Sequence, residues 1–273
     1  MKWRLFLLTS ALLFVPLSAN ALTVMVINTE FLWDHREPHE GRIVGNKKPA
    51  PTKEQYTAKL TYFAKLIKQH HADIVALTEI EGCHISNELS NKLGQGWSSL
   101  CQKGRDTFTG QDVAIVTTLS PGPVTNFKEH YSYVGDKKIR PSKVLGAVLS
   151  DGNIYYQVTV AHLISKRGNN DAKRLAQATA IRSGIASMAS QFPFHHEILM
   201  GDMNDTPGSP TLERLKNGVL LNTSTPNVCS YTYRNLCSLI DHILISPSLA
   251  GGTLYDVEMD DNFSDHRAIV YTF

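Results

Sequence analysis

Six apolar stretches of the chain end in, or contain, polar residues of types that can do chemistry: Asn28, Glu79, His162, Asp202 with Asn204, Asp241, and Asp265 with His266. The clearest is Ile198-Leu199-Met200-Gly201-Asp202-Met203-Asn204, which runs into the breakers Pro207-Gly208-Ser209-Pro210. Residues two apart on an extended backbone point the same way. Asp202 therefore offers a charged oxygen to a metal or a water proton, and Asn204 beside it offers a donor and an acceptor to a phosphate. Asp205 belongs to the following turn and is assigned no chemistry. Asp241 lies within the apolar run Leu239–Ile245, where a carboxylate is costly unless paired. A histidine is the natural partner, and Asp265-His266 supplies one.

The acidic set also defines a metal preference. Glu79 and Asp265 are hard oxygen donors and Asn28 adds a carbonyl oxygen. Such ligands suit Mg²⁺, with Mn²⁺ or Ca²⁺ as alternatives, and leave positions for water and phosphate. A phosphodiester repels a nucleophile, and a cation at its oxygens screens that charge.

Elements that could position these groups follow from periodicity. Strands are predicted at Leu22–Ile27, Asp73–Thr78, Val113–Thr118, Val144–Leu149, Ile154–Val160, Glu197–Met200, Leu239–Ile245 and Ala268–Phe273. Asp151-Gly152-Asn153 makes a hairpin of the fourth and fifth, and Ser120-Pro121-Gly122-Pro123 closes the third. Helices are predicted from Thr52 to about His70, over Ile85–Leu93, over Ala172–Gln191 and around Leu212–Leu215. The third has an apolar face of Leu175, Ala178, Ile181, Ile185 and Met188. Asp34–Pro51 reads as a long polar loop. The order suggests two packed sheets with helices outside them.

In this order, from Asn28 to His266, the residues resemble the endonuclease/exonuclease/phosphatase superfamily, whose members include deoxyribonuclease I, apurinic endonucleases, bacterial sphingomyelinases and inositol polyphosphate 5-phosphatases. The pieces Gly201-Asp202-Met203-Asn204, Ile240-Asp241-His242 and Ser264-Asp265-His266 carry the resemblance. It implies a deoxyribonuclease I-like four-layer α/β sandwich, two packed mixed sheets flanked by helices, performing metal-assisted phosphoester hydrolysis. It places Asn28, Glu79 and Asp265 on the metal side. Asp241 would hold His266, which contacts phosphate or takes the water proton, with Asp202 as the rival base. Asn204 would bind a phosphoryl oxygen, and His162 would donate to a non-bridging oxygen or the leaving group. In deoxyribonuclease I a mid-chain carboxylate supports the second histidine; here Asp112 is the residue available for His162.

The substrate is less legible. The 273 residues are 42% hydrophobic, enough for one domain over 22–273. Residues 1–21, with Lys2, Arg4, an apolar run and Ala19-Asn20-Ala21, read as a signal peptide cleaved after Ala21, so a secreted or periplasmic chain without a stable membrane anchor is expected. Of 27 basic residues, removal of Lys2 and Arg4 leaves 25 against 25 acidic ones. Net charge therefore gives no argument for a polyanion, and local groups such as Arg36, Arg42, Lys47, Lys48, Arg140, Lys166 and Arg167 must carry it. With these flanking Asn28 and His162, a monomeric nuclease of low sequence specificity, acting on DNA or RNA, is the first expectation. The run from Lys166 to Asp171 also resembles secreted bacterial nucleases of the superfamily. A sphingomyelinase or phospholipase C-type enzyme would need exposed apolar groups, for which Phe192-Pro193-Phe194 and Tyr131-Ser132-Tyr133 are the options; a small-molecule phosphatase is a further alternative. A binding or toxin subunit on the same fold is the non-catalytic reading. An even cysteine count in an exported chain suggests disulfides, and loop proximity favours Cys83–Cys101 and Cys229–Cys237.

Overall fold

The computed structural model describes residues 21–36, 38–43, 49–192, 196–225 and 227–273. The expected signal peptide, Ala21 apart, lies outside the described residues, as do Lys47, Lys48, Pro193 and Phe194. The first part of the chain runs β1 (Thr23–Leu32), α1 (Lys53–Gln69), β2 (Ile74–Ile80), α2 (Gly82–Leu93), β3 (Ser98–Cys101), β4 (Asp112–Thr117), β5 (Ser120–Thr125), β6 (Ser132–Val134), β7 (Lys137–Ile139) and β8 (Val144–Ser150). The second runs β9 (Tyr155–His162), α3 (Asp171–Gln191), β10 (His196–Asp202), α4 (Pro210–Lys216), β11 (Leu221–Asn222), β12 (Tyr231–Tyr233), β13 (Leu236–Ser238), β14 (Asp241–Ile245), β15 (Thr253–Val257) and β16 (Ala268–Thr272).

Strand alternation sorts these into layers. Val24, Val26, Ile74 and Ala76 share one apolar cluster with Leu145, Ala147, Val158, Val160, Ile198 and Met200, so two sheets meet face to face. The intervening Met25, Ile27, Val75 and Leu77 pack outward against Tyr56, Leu60, Phe63 and Ile67 of α1 and Ile85 and Leu89 of α2. Val144, Val148, Ala161 and Leu199 pack outward against Ala178, Ile181 and Ile185 of α3 and Leu212 and Leu215 of α4. The result is helix, sheet, sheet, helix, the four-layer sandwich expected. The six-stranded sheets have the orders β15-β16-β1-β2-β4-β3 and β11-β14-β10-β9-β8-β5.

Polarity then gathers the site. β1 and β2 are parallel, as are β9 and β10, with α1 and α3 as their crossovers. Their carboxyl ends lie along one edge. β16 and β14 run antiparallel to β1 and β10, so their amino-terminal ends lie at that edge too. Helix α1 begins where predicted, with Thr52 and Gln55 forming a reciprocal capping box.

Three readings are corrected. Ser120-Pro121-Gly122-Pro123 does not close a strand but enters β5, an edge strand with a register shift between Pro121 and Val124, where missing proline N–H groups cost no ladder bond. On α3 the buried stripe is Arg174, Ala178, Ile181, Ile185 and Met188, while Leu175 is only half-buried. Asp241 opens β14 rather than lying inside it. The short strands β3, β6, β7, β11, β12, β13 and β15 were not predicted, being too short or too exposed to show alternation.

Candidate active site

Asp202 is the centre of the arrangement. It lies in register with His162 on one side and Asp241 on the other, so the three side chains stand in one row on one face of the sheet. Gly201 makes the close approach of β10 to β9 feasible: a Cβ there would lie 2.1 Å from the Ala161 carbonyl oxygen, and its φ is +132°. The other sheet brings Asn28, which donates from Nδ2 to Asp202 Oδ2 at 3.0 Å and lies 3.4 Å from His266 Nε2. Ser264 ties the same pair together, donating to the Asn28 carbonyl at 2.8 Å and accepting from the His266 N–H at 3.1 Å.

His266 donates from Nδ1 to Asp241 Oδ2 at 2.7 Å, with both side chains buried. This is the pairing expected from the cost of burying Asp241. Burial alone would lower the proton affinity of His266, but Asp241 and then Asp202 and Asp265 outweigh it and raise it. Asp202 is raised by burial and by the negative charge of Asp241. Its Oδ1 accepts from the Asn204 backbone N–H at 2.8 Å, and Asn204 Nδ2 donates to the Leu163 carbonyl at 3.0 Å. Asn204 has φ 49°, a left-handed conformation that asparagine tolerates better than most residues.

Glu79 lies at the register shift between Thr78 and Ile80 with φ 65°. For a non-glycine residue this costs on the order of 1–3 kcal/mol and is retained where surroundings enforce it. Here they do: Glu79 Oε2 accepts from the Phe31 N–H at 3.1 Å and from Gln111 Nε2 at 2.7 Å. Oε1 is left facing His162 Nε2 at 3.8 Å. That oxygen, the Asp265 carboxylate 3.8 Å from His266 Nε2, and the Asn28 side-chain oxygen Oδ1 are hard donors of the type that suits a small divalent cation. Asp202, Asp241 and His266 also have ligand atoms within 4.8 Å of one another. Because Asp241 and His266 bond each other directly, we read that trio as a charge network rather than a metal centre.

His162 is placed differently from its expectation. Its Nε2 lies 3.5 Å from Asp202 Oδ2, but among the described residues its buried Nδ1 has no hydrogen-bond partner. No hydrogen bond or ion pair joins it to Asp112, which accepts the Gly104 N–H at 2.7 Å and is pushed up to about 6 by burial. The neighbouring Gln111 reaches the site instead, linking Glu79 to Lys143, whose Nζ donates to Gln111 Oε1 at 3.2 Å. Burial, then the Lys143 and His266 charges, lower the His162 proton affinity.

Of the three proposed phosphate cations, Lys166 is paired to Asp205 Oδ1 at 2.9 Å. Arg167 is exposed, and its positive charge acts on Tyr231. Arg140 lies 5.7 Å from the Tyr131 ring and meets none of the site residues in a hydrogen bond or ion pair. Asp205, set aside as turn geometry, is buried and accepts from Arg174 Nε at 3.1 Å, while its carbonyl bonds His242 Nε2 at 2.8 Å. Arg174 also pairs with Asp171. The signal that could have found this clamp was present: Arg174 falls on the apolar stripe of α3, four residues before Ala178. Tyr231 was also missed; its ring lies 4.9 Å from that of His266.

Among the described residues a second group of metal-type side chains is Asp34, His39 and Glu81. Its oxygens are committed: Glu81 accepts from the Asp34 and Glu40 N–H groups at 3.1 and 2.8 Å, and Asp34 pairs with Arg36 and His84. The group closes the loop after β1 onto α2. Both expected disulfides, Cys83–Cys101 and Cys229–Cys237, are formed. Among the described residues no helix is long and apolar enough to cross a membrane.

The family model described as Endonuclease/Exonuclease/phosphatase family matches residues 28–266. No curated protein sequence matches the chain. Among solved structures, ANGEL2, a 2′,3′-cyclic phosphatase, superposes with TM-score 0.64 at 15% identity, over 93% of this chain and 96% of that one. The human Nocturnin catalytic domain with bound sulfate gives 0.62 at 15% identity, over 92% and 93%. The Bacteroides thetaiotaomicron mannosyl-6-phosphatase gives 0.61 at 15%, over 92% and 99%. At such identity these likenesses speak for the fold alone.

Proposed function

Because the chain belongs to the endonuclease/exonuclease/phosphatase family, and is thus a phosphoester hydrolase by descent, we propose that it is an exported, divalent-metal-assisted nuclease of low sequence specificity. The observation that carries the reading is the row His162, Asp202, Asp241 on one sheet meeting Asn28, Glu79 and His266 from the other. Glu79, Asn28 and Asp265 would hold Mg²⁺ or Mn²⁺, which supplies charge neutralisation at the phosphoryl oxygens.

The chain's own residues do the rest. Asp202, fixed by Asn28 and the Asn204 N–H, accepts the proton of the attacking water. His266, its Nδ1 committed to Asp241, presents Nε2 to a phosphate oxygen. Asn204 is held by Leu163 at the same wall and contacts phosphate. His162, its imidazole kept neutral by burial, serves as a hydrogen-bond donor from Nε2. The exposed Arg167, whose charge acts on Tyr231 beside His266, suits a strand with further phosphates beyond the one cleaved.

The test is to incubate the purified protein with plasmid DNA, RNA, sphingomyelin and a sugar phosphate, each with Mg²⁺ and with chelator. Metal-dependent strand cleavage supports the reading. Choline phosphate release, or phosphate release from the sugar alone, with nucleic acid intact, replaces it with the lipid or small-phosphoester alternative. Inactivity throughout would favour the binding subunit.

A further inference from the structure

The hairpin β12–β13 stands beside the catalytic groups and the mechanism uses none of it. Tyr231 begins β12, pairs with His266 through an isolated bridge, and lays its ring 4.9 Å from the imidazole. Residues two apart on a strand share a face, so Tyr233 stands on the same face roughly 6–7 Å further out. Its register partner is Leu236, directly across the hairpin. The face that covers His266 thus continues without a break to two exposed side chains, Tyr233 at 55% and Leu236 at 71%.

Such exposure of large apolar groups at a tip needs a rigid support, because an isolated two-stranded hairpin is marginally stable. Three features supply it. Arg234 and Asn235 have φ 50° and 64°, the left-handed pair that a tight two-residue turn requires. Cys229–Cys237 staples the strands from outside that face, Cys237 lying opposite Thr232. Ser230 Oγ accepts the Ile240 and Asp241 N–H groups at 2.8 and 2.9 Å, locking the hairpin to the strand that holds the His266 partner.

We infer that this hairpin is a substrate wall whose tip stacks an unpaired nucleobase next to the scissile phosphate. The inference rests on the nuclease reading for its occupant. Three observations select a base. The face is continuous with the phosphate pocket. It carries two tyrosine rings, Tyr231 and Tyr233. It is also bordered by cations: the Arg234 guanidinium lies 5.2 Å from the Tyr233 ring, and the positive charge of Arg167 acts on Tyr231. An aromatic platform with guanidinium neighbours is the arrangement that holds single-stranded nucleic acid without reading its sequence. A lipid tail would gain nothing from those cations.

The experiment measures binding apart from hydrolysis. A fluorescent single-stranded oligonucleotide and an abasic strand of equal length and charge are titrated against the protein in chelator, with wild type, Tyr233→Ala/Leu236→Ala and Cys229→Ser/Cys237→Ser. Wild type should bind the base-bearing strand about tenfold tighter. The tip variant should lose that preference while binding the abasic strand unchanged, and the disulfide variant should lose part of it. Equal affinity of wild type for both strands, or a preference that survives in the tip variant, overturns the inference. So does loss of binding to phosphatidylcholine–sphingomyelin vesicles in the tip variant with oligonucleotide binding intact, which would make the tip a membrane contact. A base preference lost in the tip variant, in a protein that cleaves no nucleic acid, would keep the wall and remove the nuclease reading.

Discussion

The two histidines of the site are equally buried and differently held. His266 has a carboxylate partner at 2.7 Å, an aromatic ring against its face and a serine on its backbone N–H. Among the described residues His162 has an unpartnered Nδ1 and an ammonium nearby whose charge disfavours its protonation. One is built to carry positive charge toward a phosphate. The other is built to stay neutral and donate a hydrogen bond. The difference shows that matching residue types at two strand ends do not give matching roles; the second atom of each imidazole decides.

The largest effects should come from the charged half. Replacing His266 or Asp202 with Ala should lower kcat by about 10²–10⁴-fold with unchanged circular dichroism. Near-wild-type turnover in His266→Ala would remove the mechanism. Asp241→Asn, which keeps shape but weakens the hold on His266, should cost about 10²-fold. Asp112→Asn should leave kcat within about threefold, because no hydrogen bond joins Asp112 to His162 and the Gly104 contact accepts at an oxygen that asparagine keeps. If Asp112→Asn is as damaging as Asp241→Asn, the two histidines are supported alike and the comparison fails. Glu79→Gln should shift the Mg²⁺ dependence upward in a metal titration of activity, while Gln111→Ala, which frees Glu79 Oε2, should shift it less.

Why the sequence revealed one histidine's partner and not the other's follows from the strands. Asp241 was legible because it borders a run so apolar that an unpaired carboxylate there would be prohibitive. Asp112 opens β4, and its role rested on the resemblance alone; its Oδ1 takes a loop amide, that of Gly104, while among the described residues its Oδ2 has no hydrogen-bond partner. No local pattern announces a loop amide. The layer order, the long strands and both disulfides were legible for a simpler reason. Alternation and even cysteine counts survive without tertiary knowledge. The hairpin at the site was not, because three-residue strands exposed on one face have no period to read. Arg174 reads in the sequence as one more basic group after His162, but its place on the apolar stripe of α3 is the mark of a buried pair, and its partner Asp205 sits in a breaker-rich turn that alone accounts for an aspartate.

That pair holds the turn after Asp202 against α3, on the side of the pocket that carries His162. Arg174 is 1% exposed, so removing Asp205 leaves a buried guanidinium whose remaining carboxylate partner, Asp171, is largely in solvent. Asp205→Ala should therefore cost about 3–5 kcal/mol in denaturant unfolding, and Arg174→Met, which takes the charge away with a similar volume, should cost less. The same clamp has a pH signature. Burial would push the Asp205 carboxyl up, but the bonds from Lys166, Thr211 and Arg174 outweigh it and hold it at about 2, below the ordinary 3.8. A depressed carboxyl stabilises the fold where the unfolded chain is ionised, above 3.8, and the contribution drains away as pH falls through about 2. The gap in unfolding midpoint between wild type and Asp205→Asn should accordingly be full at neutral pH and narrow across that acid window. A gap that stays constant to the bottom of the window would mean that Asp205 holds the turn by shape alone, and the His162 side would then owe nothing to charge.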